Sequence, residues 1–257
     1  MAQWSAFPYD AAPYRYGAAA LRAAWPRLHA GDAEALPDDP AVLAAWALFH
    51  AGEFQAAHDA GLKCGDRGIT VANKAQALYA TYLERSERGK LDLFLQVAQR
   101  ADALARTAPR NANAHYWRAY ALARYSQAIS VVKTLSQGLG GKVRAALETT
   151  LALSPAHADA HIALASLHAE IIDKAGQLLA RTQGADAATG LRLFKRALQL
   201  NPRSAIGMTE YATALVMLEG DKRLADAGQL LAAAAAIEPL DAVERLDVEA
   251  AKAELQG

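Results

Sequence analysis

SPAHADAHIALASLHAE (154–170), GLRLFKRALQLNP (190–202) and NPRSAIGMTEYATALVML (201–218) read as three successive amphipathic helices. A proline opens the first and the third and closes the second. Apolar residues recur at helical spacing, as in Leu191, Phe194 and Leu198. Ala, Leu, Arg, Glu, Gln and Lys dominate, all strong helix formers. Proline is tolerated between helices but not inside them, so these prolines act as punctuation.

Working outward, the same punctuation recurs. Pro109, Pro155, Pro202 and Pro239 are spaced 46, 47 and 37 residues apart, and each follows one apolar helical run and precedes another. Aligned on the prolines, small residues recur at Ala119, Ala165 and Ala212 in the first helix of each unit. In the second helices the small residues are Gly190 and Ala227, then Ala197 and Ala234, with bulky Leu147, Phe194 and Leu231 beside them. Antiparallel helices ~8–10 Å apart need small residues where they cross. The pattern predicts an all-α fold of stacked helix pairs with no sheet. Asp38 and Asp39 before Pro40 mark a helix start. Gly138, Gly140 and Gly141 are expected to end a helix begun near Ala112, and Gly184 one begun near Ala158.

These stretches resemble tetratricopeptide-repeat helices. The resemblance covers roughly 95–255 and implies a tetratricopeptide-like helical solenoid of antiparallel helix pairs. Two units exceed the usual 34-residue repeat by 12 and 13 residues, inserted at YSQAISVVKTLSQGLGGK (125–142) and IIDKAGQLLARTQGADAAT (171–189). Elongated units of this kind, with AHYWRAYALARYS (114–126) and HIALASLHAEIIDKAG (161–176), are similar to the domain of the regulator-of-microtubule-dynamics family. They also resemble the helical-repeat components associated with TRAP transporters. A fainter unit lies in LAAWALFHAGEFQAAHDAGLKCG (43–65), where Ala45, Ala57 and Cys64 are expected at small, buried crossing positions. Residues 1–36 read as an aromatic, proline-rich arm and capping helix, and 37–257 as the repeat domain, closed by a charged helix near 240–255.

The 257 residues carry 27 Lys+Arg against 27 Asp+Glu and 64 alanines, about a quarter of the chain. The apolar content excludes a disordered chain. Zero net charge gives no basic stripe, so no nucleic-acid partner is expected. One cysteine excludes a disulfide framework and any Cys-based zinc site. The longest apolar candidate, LLAAAAAI (230–237), is far too short to span a membrane. With no basic n-region or apolar h-region at the start, the expected location is cytoplasmic. Arg outnumbers Lys by 18 to 9, which with the alanine content suggests a GC-rich, bacterial genome.

Chemistry-bearing motifs are few. His157, His161 and His168 share one helical face at a metal-compatible spacing, but packing between the helices explains them as well. GLGGKV (138–143) lacks the first glycine of a phosphate loop, where Ser136 stands, and ends in Val143 rather than Ser or Thr. No catalytic dyad or metal motif appears, so no enzyme activity, cofactor or metal is expected.

The resemblance instead implies a concave groove lined by the first helices. Its candidate residues are Trp46 and Phe49 in the faint unit, then Tyr116, Tyr120 and Arg124, then Ile162 and Ser166, then Thr209 and Thr213. The expected function is a non-enzymatic scaffold holding a protein or peptide segment there. The alternative is a binding protein for a small apolar ligand or lipid. Trp4, Phe7, Tyr9, Tyr14 and Tyr16 crowd an arm that is expected to dock on the protein or on a second copy, giving a homo-oligomer.

Overall fold

The structure is a computed structural model that describes residues 4–129, 133–134 and 137–256. Helices account for all the regular structure among these residues, and no strand occurs. The chain forms two compact units. The first comprises Met1–His29, Glu34–Pro155 and Leu240–Val243; the second comprises Ala30–Ala33, Ala156–Pro239 and Glu244–Gly257.

The first unit holds α1 (Ala18–Leu28), α2 (Pro40–His50), α3 (Phe54–Lys63), α4 (Ile69–Tyr82), α5 (Glu87–Thr107), α6 (Ala112–Gln127) and α7 (Leu139–Leu153). The second holds α8 (Ala158–Thr182), α9 (Ala187–Leu200), α10 (Ala205–Glu219), α11 (Leu224–Ala235) and most of α12 (Ala242–Glu254). Within each unit consecutive helices pair, and first helices of successive pairs also adjoin: α4 with α6, and α8 with α10.

The prolines set more than the breaks. The residue two places after each of three prolines caps the next helix. Asn111 accepts from Ala114 N (3.1 Å), His157 Nδ1 from Ala160 N (3.1 Å) and Ser204 Oγ from Gly207 N (3.1 Å). Each cap satisfies one orphan donor of the helix end. Asp39 does the same before Pro40, accepting from Ala41 N at 2.8 Å.

One expectation about breaks needs correction. Gly138, Gly140 and Gly141 do not end the first helix, because α6 stops at Gln127. Gly138 instead takes a left-handed φ of 60° as the cap of α7, and the other two lie in its first turn. Ser136, weighed above in the phosphate-loop motif, lies outside the described residues. Gly184 does follow the end of α8, with a φ of 71°. The backbone of α8 is itself interrupted at Gly176, where φ is 75° and ψ 157°.

The small residues sit where helices meet. Ala45, Ala57, Ala119, Ala165 and Ala197 are wholly buried, and Ala212, Ala227 and Ala234 are buried too. A β-carbon on Gly190 would lie 3.3 Å from His168 Cβ and 3.5 Å from the Ala165 carbonyl, so α8 and α9 meet there with little room. Beside this crossing, Phe194 stacks on Tyr211 with centroids 5.0 Å apart, amid Ile162 and Leu215. Cys64 departs from its expected place. It is half-buried at the end of α3, its thiol donating to Ala60 O. The close approach of α3 to α4 falls to Gly61, whose β-carbon would meet the Gly68 carbonyl at 2.7 Å.

Ala165→Leu should overfill the α8–α9 crossing and lower stability by about 1–3 kcal/mol in denaturant unfolding. Ala188→Leu, at an exposed position of α9, should change it by less than about 0.5 kcal/mol.

Candidate functional site

The nine groove residues divide by accessibility. Trp46 and Phe49 lie in the aromatic core of the first unit at 1% and 0% exposure and line no surface. The reason is α1. Its Trp25 meets Trp46 edge-on at 5.7 Å and stacks on His29 at 4.0 Å, and His29 meets Trp46 at 4.7 Å. Lys74 Nζ sits 5.6 Å and 5.2 Å from the Trp46 and Phe49 ring centroids. Within this core His50 Nδ1 contacts Asp241 Oδ2 at 2.7 Å.

Tyr116 is also buried, packed edge-on against Trp117 at 5.0 Å. Tyr120 is half-buried, its hydroxyl 2.8 Å from Thr81 Oγ1, and the Arg124 guanidinium lies over its ring at 5.4 Å. In the second unit Ile162 and Thr209 are buried. Ser166 is half-buried and donates to Glu210 Oε2 at 2.9 Å. Thr213 is exposed, its hydroxyl donating back to Thr209 O at 3.1 Å. Of the nine, the reachable side chains are therefore Tyr120 and Arg124 in one unit, and Ser166 and Thr213 in the other.

Two of the three histidines weighed as a metal set have clear structural roles. His157 caps α8 as described, and His168 Nδ1 accepts the Asp186 N–H at 3.0 Å at the start of α9. Among the described residues no group of three or more His, Cys, Asp or Glu is placed to hold a metal.

The aromatic arm docks on its own chain. Trp4 stacks on Tyr79 of α4 with centroids 4.3 Å apart and planes 12° apart, and lies 5.3 Å from His58 of α3. Trp4 N donates to Gln55 Oε1 at 3.0 Å and Ser5 N to the Tyr79 hydroxyl at 3.2 Å. Further on, the Tyr16 hydroxyl donates to Leu240 O at 2.7 Å.

Next to Trp4, and meeting it through His58, lies a polar cluster that no sequence motif announces. Asn73, Gln76 and His58 are at 1%, 0% and 6% exposure. Arg100 reaches across from α5, donating from Nε to Asn73 Oδ1 (2.9 Å) and from Nη2 to Gln76 Oε1 (2.6 Å). Gln76 Nε2 in turn donates to Leu93 O and Gln96 Oε1. Burial holds the Arg100 pKa down to about 10. Burial also lowers the His58 pKa, helped by the Arg100 charge. Gln76 and Asp59 oppose it, Asp59 Oδ1 lying 2.9 Å from Nδ1. A neutral ring then donates from Nδ1–H to Asp59 and leaves Nε2 as an acceptor. The sequence does carry one signal of this cluster. ITVANKAQALYATY (69–82) carries one charge, Lys74, in fourteen residues, fewer than a helix with a solvent-facing side carries.

The lowered His58 pKa sets a sign for acid sensitivity. The unfolded chain takes up the proton near the ordinary value of 6.5, before the folded chain does. This contribution to stability is present above 6.5 and is lost as pH falls through the lower folded value. His58→Gln should flatten the fall in denaturation midpoint between about pH 7 and pH 5 relative to the parent chain. Parallel profiles would contradict the assignment.

No protein-family model and no curated protein sequence matches this chain. Among solved structures it is similar to a thermophilic tetratricopeptide-repeat (TPR) protein from Thermus thermophilus, at a TM-score of 0.59 and 16% sequence identity. The match covers 83% of this chain and 97% of the other. At that identity the likeness concerns the fold alone: a TPR-like helical solenoid.

Proposed function

We propose that this protein is a non-enzymatic adaptor that holds a segment of a partner protein against its first helices. The observation that carries the reading is the placement of Tyr120. It sits half-buried where two first helices adjoin, its hydroxyl engaged to Thr81 of α4 and its ring face under the Arg124 guanidinium. Half-buried aromatic and arginine side chains are the usual energetic anchors of protein interfaces. The likeness to a TPR protein supports an interaction scaffold in general terms. In the second unit Ser166 and Thr213 are the corresponding reachable positions. Zero net charge gives little long-range steering, so selection rests on shape and short-range contacts.

A photo-crosslinking residue in place of Tyr120 should capture a discrete partner from native lysate. The same residue in place of Lys195, exposed on a second helix, should not. Equal capture at both positions would sink the reading.

A further inference from the structure

The cluster beside Trp4 has more donors than the chain uses. Arg100 spends two of its N–H groups on neutral amide oxygens, those of Asn73 and Gln76. Among the described residues no carboxylate pairs with it. A guanidinium drawn away from water without a counterion is costly. Asn73 Nδ2 and His58 Nε2 are buried beside it; Asn73 Nδ2 has no hydrogen-bond partner among the described residues, and His58 has Gln76 nearby with no well-formed hydrogen bond at Nε2. Folded proteins pair nearly all buried polar atoms, so each such exception calls for an explanation. Here two exceptions and an uncompensated cation fall together.

The amide orientation shows what would satisfy them. Asn73 Oδ1 is committed to Arg100, which leaves its N–H₂ as a donor. The remaining guanidinium hydrogens are donors as well. His58 Nε2 becomes one once an approaching anion draws a proton onto it. Asp59 is spent on His58 Nδ1, so the set lacks a second acceptor group carrying negative charge.

We propose that Arg100, Asn73 and His58 form a binding site for a carboxylate on an aromatic-bearing partner segment, with Trp4 as its displaceable cover. Guanidinium and carboxylate match in planar, two-point geometry. Charge favours a carboxylate over a phosphate. Once His58 is protonated, Arg100 and His58 stand against the single Asp59 carboxylate, leaving one net positive charge. A monoanion neutralises it, whereas a dianion leaves an excess negative charge in a half-buried place. The aromatic preference comes from the surface that Trp4 occupies, the face of Tyr79 with His58 beside it. The arm fills that surface but brings no counterion. Residues 1–9 contain no Asp or Glu, and Asp10 is turned to the Ala12 N–H at 2.9 Å. A partner segment supplying both ring and carboxylate replaces the arm and completes the cluster. This site lies beside α3 and α5, apart from Tyr120 and Arg124, and does not depend on them.

The test uses the full chain and 3-phenylpropionate, which carries one ring and one carboxylate, followed through the Arg100 Nε–H resonance at pH 7. A saturable shift is expected with Kd on the order of 1–10 mM, as befits a fragment of this size. In Trp4→Ala the affinity should rise by about threefold or more, because no cover has to be displaced. 3-Phenylpropionamide and inorganic phosphate at the same concentrations should leave the resonance in place. No saturable shift in either the parent chain or Trp4→Ala overturns the proposal. So does a phosphate response equal to that of the carboxylate, or an amide response equal to it. Arg100→Met should abolish the shift of the neighbouring Asn73 side-chain amide; should that variant fail to fold, the Trp4→Ala comparison decides alone.

Discussion

Helices in this protein approach one another where a side chain is a methyl group or nothing. Ala165 opposite Gly190 in the second unit leaves little room for a larger residue, and Gly61 opposite Gly68 in the first leaves none. That single constraint organises the rest. Close crossings let bulky neighbours such as Phe194 and Tyr211 interlock beside them and exclude water from both faces of the interface. They also fix which side of each helix faces inward, and hence which side chains can be reached from outside. The high alanine content is thus a packing requirement as much as a helix propensity.

The proline register acts on the same geometry from the ends of the helices. A proline followed two residues later by Asn111, His157 or Ser204 stops one helix, turns the chain and caps the next. Each pair therefore starts from a defined residue, and its small residues arrive at the crossing in step. His157 shows how a residue that invites a functional reading can be consumed by capping, since its Nδ1 holds the Ala160 N–H within the fold.

From Pro109 onward the fold is legible because proline, cap and alanine recur together. Ala119, Ala165, Ala212, Ala197 and Ala234 follow from that spacing, and all lie at or below 1% exposure. The first hundred residues carry no such register, and Trp46, Phe49 and Cys64 are misplaced there; past Pro109 the register gives the crossings but not the role of Gly138, Gly140 and Gly141 or the burial of Tyr116, Ile162 and Thr209. Trp46 and Phe49 have the spacing of surface anchors, yet α1 covers them from a segment some twenty residues upstream that no periodicity ties to α2. The spacing puts Cys64 at a crossing that belongs to Gly61, one helical turn earlier. Tyr120 and Arg124 are reachable first-helix positions, whereas Tyr116 in the same helix is buried. The arm's seat on Tyr79 and the cluster of Asn73 and Arg100 depend instead on contacts between α3, α4, α5 and residue 4. Such tertiary meetings leave little trace in local pattern.

Helix α4 is where these threads converge. It is buried from Thr70 to Ala80, holds the Asn73–Gln76–Arg100 network on one side and is covered by Trp4. If close packing and the docked arm together hold this helix, its amides open only when the unit unfolds. The Trp4 and Ser5 amides, bonded to Gln55 and Tyr79, are then protected to a lesser degree, opening locally as the arm lifts. Native-state hydrogen exchange resolved by residue tests this directly. The account predicts that α4 exchanges among the slowest segments of the first unit, with measurable protection at residues 4 and 5. Fast exchange through α4, or free exchange at Trp4 and Ser5, would contradict it.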